Sequence, residues 1–230
     1  MLLSLHILEK IGIVAGALNV AVITTLVVYS IIHWKKLDHF RILVWIAALS
    51  LLQIITVHFL SPIIYYILNK RIDHSKSIYV CFEFTLLLLA FLHMIDNGTI
   101  KKLIKVLIFS SVIGTIYSFL YQPSFVTSNY TLVSIVESFI MISLSFIAYT
   151  QLLNTEIVFE LNKSPDFYAI TAVFFLFSFS LPFFLFENYF YKTYPLKLVD
   201  AFVSAMNLSF YTVFFFLSLI AIRCKVKFQK

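Results

Sequence analysis

Glu83 and Glu137 are each the seventh residue of a long, mainly apolar stretch, 77–95 and 131–152. A carboxyl group set in hydrocarbon is costly, and it persists in a fold because it pairs, binds a ligand or moves protons. Along a helix rising about 1.5 Å per residue, both acids sit about 9 Å from the same end of their segments. His58 approaches that level from the stretch 42–68, which runs the opposite way, and offers a cationic partner. Asn19 in 11–32 and Asn207 in 198–222 fall slightly deeper. Asp200, Ser204, Asn207 and Tyr211 follow i, i+4, i+7, i+11 spacing, which puts them on one helix face. Tyr79 precedes Glu83 by one turn, in position to donate a hydrogen bond to it. Ser134, Ser138, Met141 and Ser145 line a face beside Glu137, and Gly12, Gly16 and Asn19 form a small face suited to close helix contact. The expected site is a polar cavity lined by Glu83, Glu137, His58, Asn207, Ser204, Asp200, Tyr79 and Asn19. The competing reading is that these groups tie helices together through buried hydrogen bonds, with the acids protonated.

The elements that must position these residues are apolar runs. A membrane span needs roughly 20 mainly apolar residues. Seven runs meet that length: 11–32, 42–68, 77–95, 104–121, 131–152, 167–187 and 198–222. They are continuously apolar and do not alternate with period two, so helices are expected rather than a barrel. The second is long enough to tilt or to kink at Pro62, and Pro182 is expected to kink the sixth. Ser164-Pro165-Asp166 reads as the start of the sixth, with serine as cap and proline in the first helical position. The predicted fold is all-α, a polytopic bundle of seven transmembrane helices forming one domain over 1–230.

Composition agrees. Apolar residues make up 61% of the chain and charged ones 12%, against about 25% charged in soluble domains. Mean hydropathy is +0.98, so lipid must serve as part of the solvent. The net charge of +6 is set between the apolar runs, where it meets anionic headgroups rather than nucleic acid. Lys and Arg divide eleven to six between the two sides, the eleven falling in loops one, three and five and the C-terminal tail. That bias predicts an outside N-terminus and a cytoplasmic C-terminus in a bacterial inner membrane, although Lys70, Arg71 and Lys76 in loop two run against it. Trp34 and Trp45 would mark the inner interface, and Tyr65, Tyr66, Tyr79, Tyr121, Tyr130 and Tyr189 the outer one. The first residues, MLLSLHILEK, lack the basic region of a cleavable signal peptide, so the first run is expected to insert and stay.

Several chemistries lack their residues. Retinal needs a Schiff-base lysine inside a span, and no span carries one in its core. Intramembrane zinc hydrolases need histidine clusters, yet no histidine follows His93. His33, Asp38, His39, His93 and Asp96 could approach one another on the cytoplasmic side, and they read as solvated interfacial groups. Cys81 and Cys224 are expected on opposite faces, which argues against an internal disulfide. The sequence contains no nucleophile elbow, P-loop or dinucleotide fingerprint. No catalytic residue, metal or cofactor is expected.

Ser164-Pro165-Asp166-Phe167-Tyr168 leads into a Phe-rich sixth run, followed by Asn207 in the seventh. Tyr79-Val80-Cys81-Phe82-Glu83 sets an acid among aromatics in the third, and Glu137-Ser138 pairs an acid with serine in the fifth. This pattern resembles a group of small bacterial seven-helix integral membrane proteins of uncharacterised function, suspected of a sensory role beside histidine kinases. Tyr168 stands where the group's pattern has tryptophan. The resemblance implies a shared architecture and the two glutamates, and it supplies no ligand. The expectation is a receptor-like or sensory protein whose outer pocket binds a small ligand or a proton. Its tail, Arg223 to Lys230, is too short for an effector, so a signal would need a partner protein at the cytoplasmic face. A small proton-coupled carrier and a structural membrane subunit are the alternatives.

Overall fold

The computed structural model describes residues 2–55, 75–120, 130–154, 161 and 163–228. Every regular element among them is helical: α1 (Leu2–Ile32), α2 (Arg41–Ile55), α3 (Ser75–Met94), α4 (Gly98–Leu120), α5 (Tyr130–Asn154), α6 (Pro165–Thr193) and α7 (Leu196–Phe228). Two 3-10 turns, Trp34–Lys36 and Asp38–Phe40, join α1 to α2. Without water to bond peptide groups, apolar chain satisfies its own backbone, and the helix does so within one segment. Five stretches are long and apolar enough to cross a membrane: His6–Ile32, Asp38–Ile55, Thr131–Asn154, Pro165–Glu187 and Leu196–Phe228. Tyr79–Met94 is a shorter apolar helix. The chain is thus an all-α membrane protein.

The helices outrun the apolar cores that announce them. α1 begins at Leu2 rather than 11, α4 at Gly98 rather than 104, and α6 continues to Thr193. The polar flanks keep helical hydrogen bonding after the hydrophobic run ends. The second expected run is described only to Ile55, so His58, Ser61, Pro62 and Tyr65 lie outside the described residues. α6 starts as its sequence dictates: the Ser164 hydroxyl accepts the Phe167 N–H at 3.4 Å, and Pro165 occupies the first turn. It remains one helix across Pro182.

Packing places six helices in a closed circuit. α1 packs on α2, α2 on α3, α3 on α5, α5 on α6, α6 on α7, and α7 returns to α1. α4 stands outside this ring against α3. The α7–α1 side is the most extensive contact, and α3–α5 is the thinnest in the circuit. Small residues explain the former. A side chain at Gly16 would meet Leu208 at 3.6 Å, the Asn19 amide donates to Leu208 O at 3.3 Å, and Thr212 reaches Ala15 O at 3.4 Å. Towards the end that carries the 33–40 turns, Phe40, Leu43, Leu87, Phe91 and Phe214 fill the ring and are fully buried. Apolar side chains of α4, among them Leu103, Val106 and Phe109, face outward, as a lipid solvent permits.

Candidate functional site

The ring directs polar groups from three consecutive members and from α7 to one place. Glu83 of α3 is 2% exposed and Glu137 of α5 is 5% exposed. The two carboxyls interact electrostatically across the α3–α5 contact. Tyr211 of α7 donates its hydroxyl to Glu83 Oε2 at 2.8 Å. Tyr79, one turn before Glu83, sets its ring edge-on to Tyr211 with centroids 6.4 Å apart. Its hydroxyl also interacts with the Glu83 carboxyl and shares a 2.6 Å hydrogen bond with Ser50 of α2. Ser50 in turn donates to Ile46 O at 3.0 Å, one turn back on its own helix.

The Glu137 face of α5 is buried as its spacing suggests, with Ser134, Ser138, Met141 and Ser145 all enclosed. Ser138 and Ser145 bond the carbonyls of Ser134 and Met141 on the preceding turn and so offer little to neighbouring helices. Glu83 Oε1, Glu137 Oε1 and Ser134 Oγ have no hydrogen-bond partner among the described residues. A buried polar atom left unsatisfied costs about 1–3 kcal/mol. Such a pair of carboxyls can share or exchange protons, or accept hydrogen bonds from a small donor-rich ligand.

The other residues named from sequence are distributed differently. Asn19 is 2% exposed at the α1–α7 contact, bonded to backbone there. Asn207 is half-buried on α7, one turn before Tyr211. Asp200 and Ser204 share its helix and are exposed. Asp200 instead accepts the Tyr191 hydroxyl at 2.9 Å. Partial burial, then that hydrogen bond and the charges of Asp200 and Glu187, push the Tyr191 hydroxyl up to about 12. His58 lies outside the described residues. Tyr79, expected in an outer aromatic belt, is a correction: it is 8% exposed, because its hydroxyl has polar partners inside the ring. Ser50 was not singled out by sequence, since a lone serine within a span carries no signal until its partner is known. Tyr211 was legible only as the last member of the α7 stripe.

Cys81 and Cys224 are both free thiols. Among the described residues no group of three or more His, Cys, Asp or Glu side chains is arranged to hold a metal ion. No protein-family model matches the chain, and neither a curated protein nor a solved structure matches it.

Proposed function

We propose that the protein is a seven-span, receptor-like sensor of a bacterial inner membrane, and that Glu83 and Glu137 are its proton- or ligand-responsive centre. The N-terminus is outside and the C-terminus cytoplasmic, in accord with the eleven-to-six division of basic residues. Binding or protonation at the pair biases the packing of α5, α6 and α7, and a partner protein at the cytoplasmic face reads the change. The observation that carries the reading is the meeting of two buried carboxyls from α3 and α5, one of them held by Tyr211 of α7. A difference in protonation there acts on three helices at once.

Between this centre and the 33–40 end the described filling is mainly apolar, with serine hydroxyls such as Ser30 and Ser218 but no buried charge, which favours a sensor over a carrier that moves protons through that half. The test replaces each acid with glutamine in protein reconstituted into vesicles, with protons as the ligand. Infrared difference spectra between acid and alkaline buffer should show a titrating carboxyl band that E83Q and E137Q each diminish, together with an altered amide response. Substitutions that lower thermal stability yet leave the pH response intact would return the two acids to the role of ties between helices.

A further inference from the structure

The end of the ring formed by the 33–40 turns carries a second set of charged groups, separate from Glu83 and Glu137. Leu37 and Phe40, 0% and 1% exposed, anchor the turn in the core. Between them stand Asp38 and His39. The Asp38 carboxylate lies 3.1 Å from Lys225 Nζ of α7. His39 Nε2 lies 3.5 Å from Asp166 Oδ1 on the first turn of α6. The ring of His93, near the end of α3, stacks on His39 with centroids 5.9 Å apart. Two consecutive residues thereby connect the ends of α3, α6 and α7. Asp38 has φ 45°, a left-handed conformation that costs most non-glycine residues about 1–2 kcal/mol and that asparagine and aspartate tolerate best. Such a backbone persists where surrounding contacts over-determine it.

We propose that this turn is a proton-operated latch. An imidazolium at His39 holds Asp166 and fastens α6, while Asp38 and Lys225 fasten α7; loss of the proton to water frees the turn and loosens both. At 3.5 Å the contact is at the outer limit of a hydrogen bond, one that a neutral ring with its proton on Nε2 also donates; protonation adds the attraction between opposite charges. Histidine is the side chain whose charge ordinarily changes between about pH 5 and 8. The ring faces Asp166 from α6 and His93 from α3, with Asp38 beside it in the chain and Lys225 of α7 paired to that aspartate. The sign follows: the ion pair is present at the acid end of that range and is lost as pH rises.

Cys224, beside Lys225, supplies the readout. C81S leaves it as the single thiol, and its alkylation rate is measured in vesicles at about pH 5.5 and about pH 8. Each rate is divided by that of C81S/D166N at the same pH, which cancels the thiol's own ionisation. The parent ratio should be about one-fifth at the acid pH, the scale of a half-exposed ion pair, and close to unity at the alkaline one. H39K, charged throughout, should stay at about one-fifth at both. A parent ratio that does not move with pH overturns the latch, as does an H39K ratio that rises alongside the parent.

Discussion

The hydroxyl of Tyr211 is the one described donor that reaches the Glu83 carboxyl from another helix with a resolved hydrogen bond. Removing it takes away the 2.8 Å bond to Glu83 Oε2 and leaves the carboxyl its interaction with Tyr79. Y211F should therefore cost about 1–2 kcal/mol, more than Y79F, whose close 2.6 Å bond is to the neutral Ser50 hydroxyl and whose interaction with Glu83 is the weaker of the two tyrosines'. Thermal unfolding in detergent measures both, and a Y79F cost equal to or above that of Y211F would contradict the ranking. Glu83 and Glu137 were legible from sequence because hydrocarbon makes every carboxyl conspicuous. Asp200 and Ser204 lie exposed on α7, and helical spacing tells which residues share a face and not what that face meets. Ser50 was invisible for a related reason: its partner, Tyr79, is 29 positions away and on another helix.

At the scale of elements, α6 has the most explicit local instructions. Ser164 satisfies an end N–H that no helical carbonyl can reach, Pro165 lacks the N–H that would otherwise be orphaned, and Asp166 meets the positive end of the helix dipole. S164A should destabilise the protein by about 1 kcal/mol and speed hydrogen exchange at the Phe167 amide, with S164D restoring both. Unchanged exchange in S164A would mean that the cap does not hold this end. The existence of the helices was legible from apolar length alone. Their ends were not, because α4 and α6 continue into more polar sequence, and α1 into a mixed one, where hydropathy falls but backbone hydrogen bonding does not. The 3-10 turns of 33–40 also escaped notice, being built from buried Leu37 and Phe40 rather than from any turn signature.

For the whole molecule, membrane topology is the decisive quantity, because the sensor reading requires the glutamate pair to communicate with the outside. In a C81S/C224S background, K197C should react with an impermeant maleimide added to intact cells, whereas K163C should react only after the membrane is opened. The reverse pattern would invert the orientation. Apolar run lengths announced a helical membrane protein, but they carried no information on which helices would be neighbours. Pairing depends on residues such as Ala15, Gly16 and Leu208, whose fit appears only once two surfaces meet. The circuit also has a consequence for how it can deform. Along the chain, each adjacent pair in the ring is directly successive except two: α7–α1, which is the most heavily packed, and α3–α5, which is joined only by way of the outlying α4. The α3–α5 side thus combines the thinnest packing of the circuit with no direct chain link, and it is the side that carries the two interacting acids. A change in the charge of either acid therefore acts where the circuit has the least packing to oppose a displacement.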